Sequence, residues 1–218
     1  MSTSSSPIKM TYRFLGNSGL LVSKLALGSW MPYDEKYTVD AWFAMMETAF
    51  KGGINFFDTA EMYGSGQSER NMGGAIKKGI ANGVWDREDL VIATKIFGGY
   101  KGFENFGPND VGLGRKHLVE GTKRALSRLQ LDYVDVIFCH RPEPYTPIEE
   151  VVRAMNFVIQ QGWAFYWGTS DWLTADIREA CDVADRLGLI RPIVEQPEYN
   201  IFERTKVEYD YADLYKKY

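Results

Sequence analysis

The chain has 218 residues, of which 45% are hydrophobic and 25% are charged, and this composition is typical of one water-soluble globular domain. The net charge of -4 provides no broad basic field for a nucleic-acid backbone or an anionic membrane, so neither is predicted as a partner. Cys139 and Cys181 are isolated within apolar patterns and only two histidines are present, which argues against a disulfide framework and against a zinc site.

The first part of the chain carries no targeting or membrane signal. Residues 1–11 form a Ser-rich segment without the apolar core of a signal peptide, and we expect them to be a disordered tail. No later segment has the roughly 18 uninterrupted apolar residues that a membrane-spanning helix requires. The sequence therefore predicts a cytoplasmic protein that does not insert into a membrane. From Tyr12, two short strand-like runs surround Asn17, Ser18 and Gly19, which predicts a leading β-hairpin because Asn and Gly tolerate positive φ.

Short apolar runs follow the hairpin, and each precedes a helical pattern of apolar residues. The runs cover residues 25–29, 54–57, 90–95, 134–139, 164–168 and 193–196. Alternating strands and helices predict a parallel sheet with right-handed crossovers, either a closed barrel or an open doubly wound sheet. The turn after the first run, Gly28-Ser29-Trp30-Met31, lacks the Gly-x-Gly-x-x-Gly pattern of many open dinucleotide-binding sheets, which favours the barrel.

The number of strand-helix units is too small for a closed barrel. Such a barrel requires eight units and typically about 250 residues. This chain contains about six, and its sixth predicted helix begins after Glu203 and reaches the last residue, Tyr218. We therefore expect an incomplete barrel of about six βα units with an N-terminal hairpin, as in a chain truncated at its C-terminus.

Four chemically different polar side chains lie at or just after successive predicted strands. Asp58 and Tyr63 follow the second run, Lys95 closes the third, and His140 follows the fourth. The C-terminal ends of parallel strands meet at one rim, where barrels of this class hold their ligands, so the pattern predicts an active site. Each residue also has a simpler interpretation: a cap for Asp58, a loop aromatic for Tyr63, a solvated charge for Lys95 and a core histidine for His140. Their occurrence together favours the active site.

Five segments of the sequence match one enzyme family. They are YRFLGNSGL at 12–20, GINFFDTAEMY at 53–63, LDYVDVIFCHRP at 131–142, YWGTS at 166–170 and EQPEY at 195–199. Together they resemble the aldo-keto reductase family, and within it the branch of the voltage-gated potassium channel beta subunits. The resemblance implies a (β/α)₈ TIM barrel, incomplete here, with residues 12–218 as a partial NADP-dependent oxidoreductase domain. It also implies NADPH as the cofactor and a small carbonyl substrate that is reduced to an alcohol.

The four rim residues suit that chemistry. Carbonyl reduction leaves an alkoxide that must be protonated, and Tyr63 is the candidate general acid. A free phenol has a pKa of about 10, and a nearby ammonium lowers it by favouring the phenolate. We expect Lys95 to supply that ammonium, Asp58 to hold Lys95 by an ion pair, and His140, neutral or charged, to polarise the carbonyl oxygen. The resemblance implies the same roles.

The resemblance also implies a set of cofactor contacts around the nicotinamide. They are Ser170, Asp171 and Gln196 on one side, Ser29 and Trp30 on the other, and also Asp58 and His140. Asp171 departs from the family, which usually has an amide or an arginine at that position. An acidic group lacks the donor of the amide, so this contact does not carry over directly.

A long connection at residues 96–114 follows the third predicted strand. It carries Phe97, Tyr100, Phe103 and Phe106. Connections of this length are uncommon unless they are functional or disordered. The aromatic residues predict either an apolar wall above the rim, suited to medium-sized aldehydes or ketones, or a surface loop.

The resemblance leaves an alternative function open, that of a cytoplasmic regulatory subunit of a voltage-gated potassium channel. Animal channel subunits carry asparagine at the position of His140 and reductases carry histidine, so this residue favours the enzyme. A homo-oligomer and the cytoplasmic domain of a channel both stay open as partners. The family segments that grip the rest of NADPH follow the sixth helix, so we predict weak or no NADPH binding by this chain. An inert chain is the third interpretation.

Overall fold

The main sheet contains five parallel strands that follow one another in chain order, and an antiparallel hairpin precedes it. The computed structural model describes residues 9–31, 33, 36–101 and 105–218. The hairpin pairs β1 (Tyr12–Phe14) with β2 (Leu21–Ser23). The parallel strands are β3 (Ala26–Gly28), β4 (Phe56–Asp58), β5 (Val91–Ile96), β6 (Val134–Cys139) and β7 (Ala164–Thr169). The predicted hairpin and the predicted parallel α/β arrangement are therefore confirmed.

Helices connect the strands and pack against one another in chain order. They are α1 (Val39–Lys51), α2 (Gln67–Ala81), α3 (Arg115–Leu129), α4 (Ile148–Gln160), α5 (Thr174–Leu187) and the short α6 (Leu214–Lys217). In α4, Val151, Met155 and Val158 are buried on one side, which is the spacing of an amphipathic helix. Within the described residues, no helix has both the length and the apolarity that crossing a bilayer requires.

The two faces of the sheet have different packing, because successive side chains of a strand point to opposite sides. On the outer face, Ile92, Ile137 and Cys139 belong to the large apolar cluster shared with the helices. The inner face has a smaller apolar cluster, to which the hairpin also contributes. Its buried members are Leu15, Val22, Phe56, Val91, Ala93, Val136 and Phe138. The hairpin therefore covers the N-terminal end of the inner face.

The predicted sixth strand at residues 193–196 does not form a regular strand, so this detail of the prediction was wrong. The segment runs beside β7 with one isolated parallel bridge, between Thr169 and Glu195, and with three backbone hydrogen bonds. Pro192 and Pro197 flank the segment. Because proline has no amide hydrogen, the ladder cannot extend past either end.

Other predicted boundaries differ from the structure by small amounts. Asp58 is the last residue of β4 and Lys95 is the last but one of β5, so each lies one residue earlier relative to the strand end than expected. In the hairpin connection, the positive φ belongs to Gly16 (56°), whose backbone lies against the Ile193 carbonyl. Residues 1–8 of the expected tail lie outside the described residues. Thr11 already accepts a backbone hydrogen bond from the Lys24 amide, at 2.9 Å.

Candidate active site

The C-terminal end of the inner face carries polar side chains in place of apolar ones. Asp58, Lys95 and His140 each follow, by two residues, a strand residue that belongs to the smaller apolar cluster. The alternation of a strand therefore turns all three side chains inward, at the ends of three neighbouring strands. Tyr63 reaches the same place from the turn after β4. The structure thus brings together the four side chains that the sequence singled out.

The Lys95 ammonium joins three parts of this rim. The side chain is buried, with 1% of its surface exposed. It donates a short hydrogen bond to Asp58 Oδ2 and a second one to the Thr59 carbonyl, at 2.9 Å. Its Nζ also lies 3.5 Å from Tyr63 Oη. The three ammonium hydrogens therefore have three oxygen neighbours, which rules out a solvated strand-end charge.

Asp58 is buried with an incomplete set of hydrogen bonds. Burial raises the pKa of its carboxyl group, and the Lys95 ammonium offsets part of this effect, with a smaller contribution from Gln196. The Gln196 side chain does not complete a hydrogen bond to Asp58 Oδ1. That oxygen is buried and has no hydrogen-bond partner among the described residues. An unpaired buried carboxylate oxygen is costly for folding, and here it faces the same rim as Lys95.

His140 is held as a neutral imidazole. Burial, followed by the positive charges of Lys95 and Arg141, lowers the pKa of His140 to about 3. Of the neutral and charged forms that the sequence left open, these effects favour the neutral one. The imidazole ring lies 5.7 Å from the Tyr63 ring, centroid to centroid, with 77° between their planes. Its Nδ1 is buried and has no hydrogen-bond partner among the residues that the structure describes.

The backbone after Tyr63 makes an unusually tight turn into α2. Gly64, Ser65 and Gly66 have positive φ values of 55°, 51° and 82°. A Cβ on Gly64 would lie 2.5 Å from the Tyr33 ring, so the turn also depends on glycine having no side chain. Consecutive residues in the left-handed backbone conformation are costly unless the surrounding structure supports them, and such residues often occur at functional sites. This turn determines where the Tyr63 side chain begins.

Two of the predicted cofactor contacts lie side by side at the end of β7. The Ser170 hydroxyl donates to the Gln196 carbonyl at 2.8 Å and accepts from Arg141 at 3.2 Å. Asp171, which follows with a φ of 56°, is engaged elsewhere. Its carboxylate accepts from the Glu198 amide at 3.0 Å and pairs with Arg141 at 3.1 Å. The acidic side chain therefore has its own local partners.

Ser29 and Trp30 lie at the end of β3 and differ sharply in exposure. Ser29 is completely buried, and its hydroxyl accepts a hydrogen bond from Ser68 at 2.7 Å. Ser68 in turn shares a hydrogen bond with the Thr59 hydroxyl, at 2.7 Å. Trp30 is 82% exposed. The indole is thus presented to solvent, whereas the Ser29 hydroxyl faces the protein interior.

Two buried carboxylates near the rim were missed by the sequence reasoning. Glu61 accepts a hydrogen bond from His117 Nε2 at 2.9 Å. Glu69 accepts from Thr94 at 2.7 Å and pairs with Arg128. Their only sequence signal is position: Glu61 lies in the turn after β4 that carries Tyr63, and Glu69 lies in the first turn of α2, on its buried side.

The aromatic residues of the long connection have different surroundings. Phe97 packs against the large apolar cluster, and the Tyr100 ring lies 4.6 Å from the Arg128 guanidinium. Phe106 is 36% exposed. Phe103 lies outside the described residues. The connection is therefore anchored where it leaves β5.

The chain is similar to known proteins over most of its length. The model of the Aldo/keto reductase family matches residues 24–217. Two plant proteins named "Probable voltage-gated potassium channel subunit beta" are similar to the chain. The protein from Arabidopsis thaliana is 53% identical over 206 residues, which cover 94% of this chain and 60% of the relative. The protein from Oryza sativa subsp. japonica is 50% identical over 209 residues, which cover 96% of this chain and 61% of the relative. The chain thus spans about three fifths of the length of these relatives.

A solved structure has the same fold. The crystal structure of the thermostable aldo-keto reductase Tm1743, in complex with the inhibitor epalrestat, has a TM-score of 0.75 and 31% sequence identity. The match covers 93% of this chain and 67% of that one. The predicted fold class, an incomplete (β/α)₈ TIM barrel of the aldo-keto reductase type, is therefore confirmed. The chain belongs to the aldo/keto reductase family.

Proposed function

We propose that this protein is an NADPH-dependent reductase that converts aldehydes or ketones to alcohols. The observation that carries the proposal is the position of the Lys95 ammonium between the Asp58 carboxylate and the Tyr63 hydroxyl, 3.5 Å from the hydroxyl oxygen. A purely structural ion pair would not require a phenol beside it. Membership of an oxidoreductase family supports the same class of reaction.

Tyr63 is the proton donor in this proposal. Reduction of a carbonyl carbon leaves negative charge on the oxygen, and the phenolic proton neutralises that charge. The Lys95 ammonium stabilises the phenolate that remains, and Asp58 keeps the ammonium in place. Because Lys95 is 1% exposed, water screens this interaction only weakly.

His140 orients the carbonyl oxygen as a neutral hydrogen-bond donor. Its pKa of about 3 keeps the imidazole uncharged at neutral pH. A charged imidazolium would place a second cation close to Lys95, which is unfavourable at a buried site. Polarisation of the carbonyl by a neutral donor avoids that repulsion.

NADPH supplies the hydride when it is bound. The side chains at the rim fit its nicotinamide end, because they combine an exposed aromatic ring with polar groups and with a buried carboxylate oxygen that lacks a partner among the described residues. Trp30 offers the ring, Ser170 and Gln196 offer polar groups, and Asp58 has an unpaired oxygen. Asp171 contributes less to this proposal because its carboxylate is already held by local contacts.

Transfer of deuterium tests the reaction class. The chain is incubated with benzaldehyde and with a high concentration of NADPH, because its binding is expected to be weak, and this NADPH carries deuterium at the hydride position of the nicotinamide ring. We expect deuterium on the carbinol carbon of the benzyl alcohol. Absence of the alcohol, or an alcohol without deuterium, would contradict the proposal.

A second candidate function is that of a regulatory subunit of a voltage-gated potassium channel. The names of the two plant relatives favour it. Calorimetric titration of the chain with the purified cytoplasmic domain of a plant channel of this class tests this function, and light scattering on the same sample measures any homo-oligomer. Saturable binding supports the function, and the absence of binding heat and of a larger complex contradicts it.

We also propose a cytoplasmic location. Cys139 and Cys181 are both free and buried. Burial raises the pKa of the Cys139 thiol, and it raises that of Cys181 to about 11, so both stay as unreactive thiols. Unpaired thiols are usual in the cytoplasm. Microscopy of a fluorescent fusion tests this location, and a signal from the secretory pathway would contradict it.

A further inference from the structure

The long connection between β5 and α3 closes into a loop at its base. The Gly112 amide donates to the Phe97 carbonyl at 2.7 Å, which joins the two ends of the loop. Loops whose ends lie close together are compact and frequently functional. This one begins directly after the strand that carries Lys95, so the position of its stem affects the space above the rim.

Glu61 holds the first side of the stem. Its Oε1 accepts hydrogen bonds from the Phe97 amide at 2.8 Å, the Gly99 amide at 2.9 Å and His117 Nε2 at 2.9 Å. Its own amide donates to the Lys95 carbonyl at 3.1 Å. Glu61 is 1% exposed, so these donors replace the water that the carboxylate has lost.

The stem lies directly against the residue that precedes Tyr63. A Cβ on Gly98 would lie 3.0 Å from Met62 Sδ. Gly99 has a φ of +67°, and a Cβ there would lie 2.6 Å from the Asp110 carbonyl oxygen. The path of the stem therefore depends on two glycines and leaves little room for adjustment.

Another carboxylate holds the opposite side of the stem. Glu143 Oε2 accepts from the Leu113 amide at 2.5 Å and from the Thr146 hydroxyl at 2.9 Å. Glu143 lies in the connection that begins with His140. Both sides of the stem are thus tied to segments that carry proposed catalytic residues.

We infer that Glu61 and His117 are a positioning pair that holds the loop stem against the Tyr63 segment and so selects aromatic over short aliphatic carbonyl substrates. The positioning rests on the contacts above, and only the substrate selection rests on the proposed function. Neither residue touches the reacting atoms in this account. Their effect passes through the backbone of Phe97 and Gly99.

Amide hydrogen exchange measured by NMR tests the positioning without any need for activity. In Glu61→Gln, the loss of a charged acceptor accelerates exchange of the Phe97 and Gly99 amide hydrogens by about tenfold. Glu120→Gln is the matched control, because Glu120 is an exposed residue of α3 that pairs with Lys116. Unchanged exchange at both amides in Glu61→Gln would overturn the inference.

A second variant keeps the test decisive. If Glu61→Gln does not fold, His117→Gln removes the imidazole and leaves the carboxylate, and we expect a smaller acceleration, about threefold, at the same two amides. Exchange equal to that of the parent in a folded His117→Gln would overturn the pair.

The substrate selection is tested by kinetics on the folded variants. For benzaldehyde, KM rises by about three- to tenfold in Glu61→Gln while kcat and the NADPH dissociation constant stay as in the parent. For propanal, KM stays unchanged. An equal rise for both aldehydes would overturn the selection. Absence of any reduction by the parent would overturn both the selection and the proposed function, while the exchange data would still decide the positioning.

Discussion

The two ends of the inner face of this sheet have opposite chemistry. At the N-terminal end, hairpin residues Leu15 and Val22 pack with the first inward-facing strand residues into an apolar cluster. At the C-terminal end, a buried ion pair, a phenol and a neutral imidazole share a small space. Apolar packing has no unmet hydrogen bonds, whereas the rim leaves buried atoms of Asp58 and His140 without partners among the described residues. The first end stabilises the fold, and under the proposed function the second end keeps polar groups for a ligand.

Two buried carboxylates, Asp135 and Asp58, differ in how completely their oxygens are hydrogen-bonded. Asp135 lies near the start of β6, and its Oδ2 accepts from Arg87 at 2.7 Å and from the Ile92 amide at 2.8 Å. Asp58 lies at the end of β4, where one oxygen is held by Lys95 and the other has no partner in hydrogen-bond geometry among the described residues. Both are paired with a cation, but only Asp58 is left incomplete. Burial and pairing with a cation are thus common to both carboxylates, and the unpaired oxygen is what distinguishes Asp58 from Asp135.

The largest effect on stability is expected at the rim. Lys95→Met leaves the buried Asp58 carboxylate without its cation, which lowers the free energy of unfolding by about 3–5 kcal/mol. Urea unfolding measures this loss. The double variant Lys95→Met with Asp58→Asn recovers most of it, because the second change removes the unpaired charge. Lys51→Met, in an exposed pair with Glu47, is the control and leaves stability unchanged. A Lys95→Met protein as stable as this control would contradict the buried pair.

The apolar end is expected to affect stability without affecting chemistry. Leu15→Ala removes a side chain that is 6% exposed, and the cavity lowers the free energy of unfolding by about 2–4 kcal/mol. Leu21→Ala, at a position that is 48% exposed in the same hairpin, has little effect. At a temperature where both proteins are folded, kcat/KM equals that of the parent. A specific loss of kcat in Leu15→Ala would break the division between the two ends.

Glu195 is expected to make stability fall as pH rises. It lies between the hydroxyls of Thr169, at 2.5 Å, and Tyr211, at 3.3 Å, and burial raises its pKa from 4.5 to about 7. Between those values the folded protein keeps a proton that the unfolded chain loses, so its contribution to stability is lost as pH rises through 7. Relative to Glu195→Gln, the parent loses about 2 kcal/mol between about pH 5 and pH 8. Parallel stability curves for the two proteins would contradict the burial of this carboxyl.

His140 is expected to give a smaller effect of the opposite sign. Its pKa falls from 6.5 to about 3 in the folded protein, so the unfolded chain binds a proton that the folded protein rejects. The stability of the neutral form is present above pH 6.5 and is lost as pH falls towards 3. Relative to His140→Asn, the parent loses about 1–2 kcal/mol between about pH 7.5 and pH 5. Chemical unfolding across this range provides the measurement, and a constant difference would contradict a buried neutral imidazole.

The sequence predicted the rim because the alternation of a strand and the order of the strands determine it. Once parallel strands are assigned, Asp58, Lys95 and His140 necessarily lie at one end, and the DTAEMY motif adds Tyr63. The error of one residue in the strand ends had no effect, because the inward direction depends on the spacing of two residues from the apolar cluster and not on the last residue of a strand.

The features that the sequence did not predict depend on contacts between distant residues. Glu61 and His117 are far apart in the chain, and no local pattern indicates that the acid is buried against that imidazole. Ser29 was assigned to the cofactor by resemblance, yet its hydroxyl is turned inward by Ser68. The predicted sixth strand has apolar residues typical of a strand but forms only one bridge to β7. Its flanking prolines, which lack an amide hydrogen, could have indicated this limit on pairing.

In the proposed reaction, the Tyr63 hydroxyl, beside Lys95, protonates the reduced carbonyl. The most direct test is kcat/KM for NADPH-dependent reduction of benzaldehyde by Tyr63→Phe, with Tyr145→Phe, at a position that is 89% exposed, as the matched control. We expect a fall of about 10²–10⁴-fold for Tyr63→Phe, with the NADPH dissociation constant unchanged, and no fall for Tyr145→Phe. Equal rates for Tyr63→Phe and the parent would contradict it.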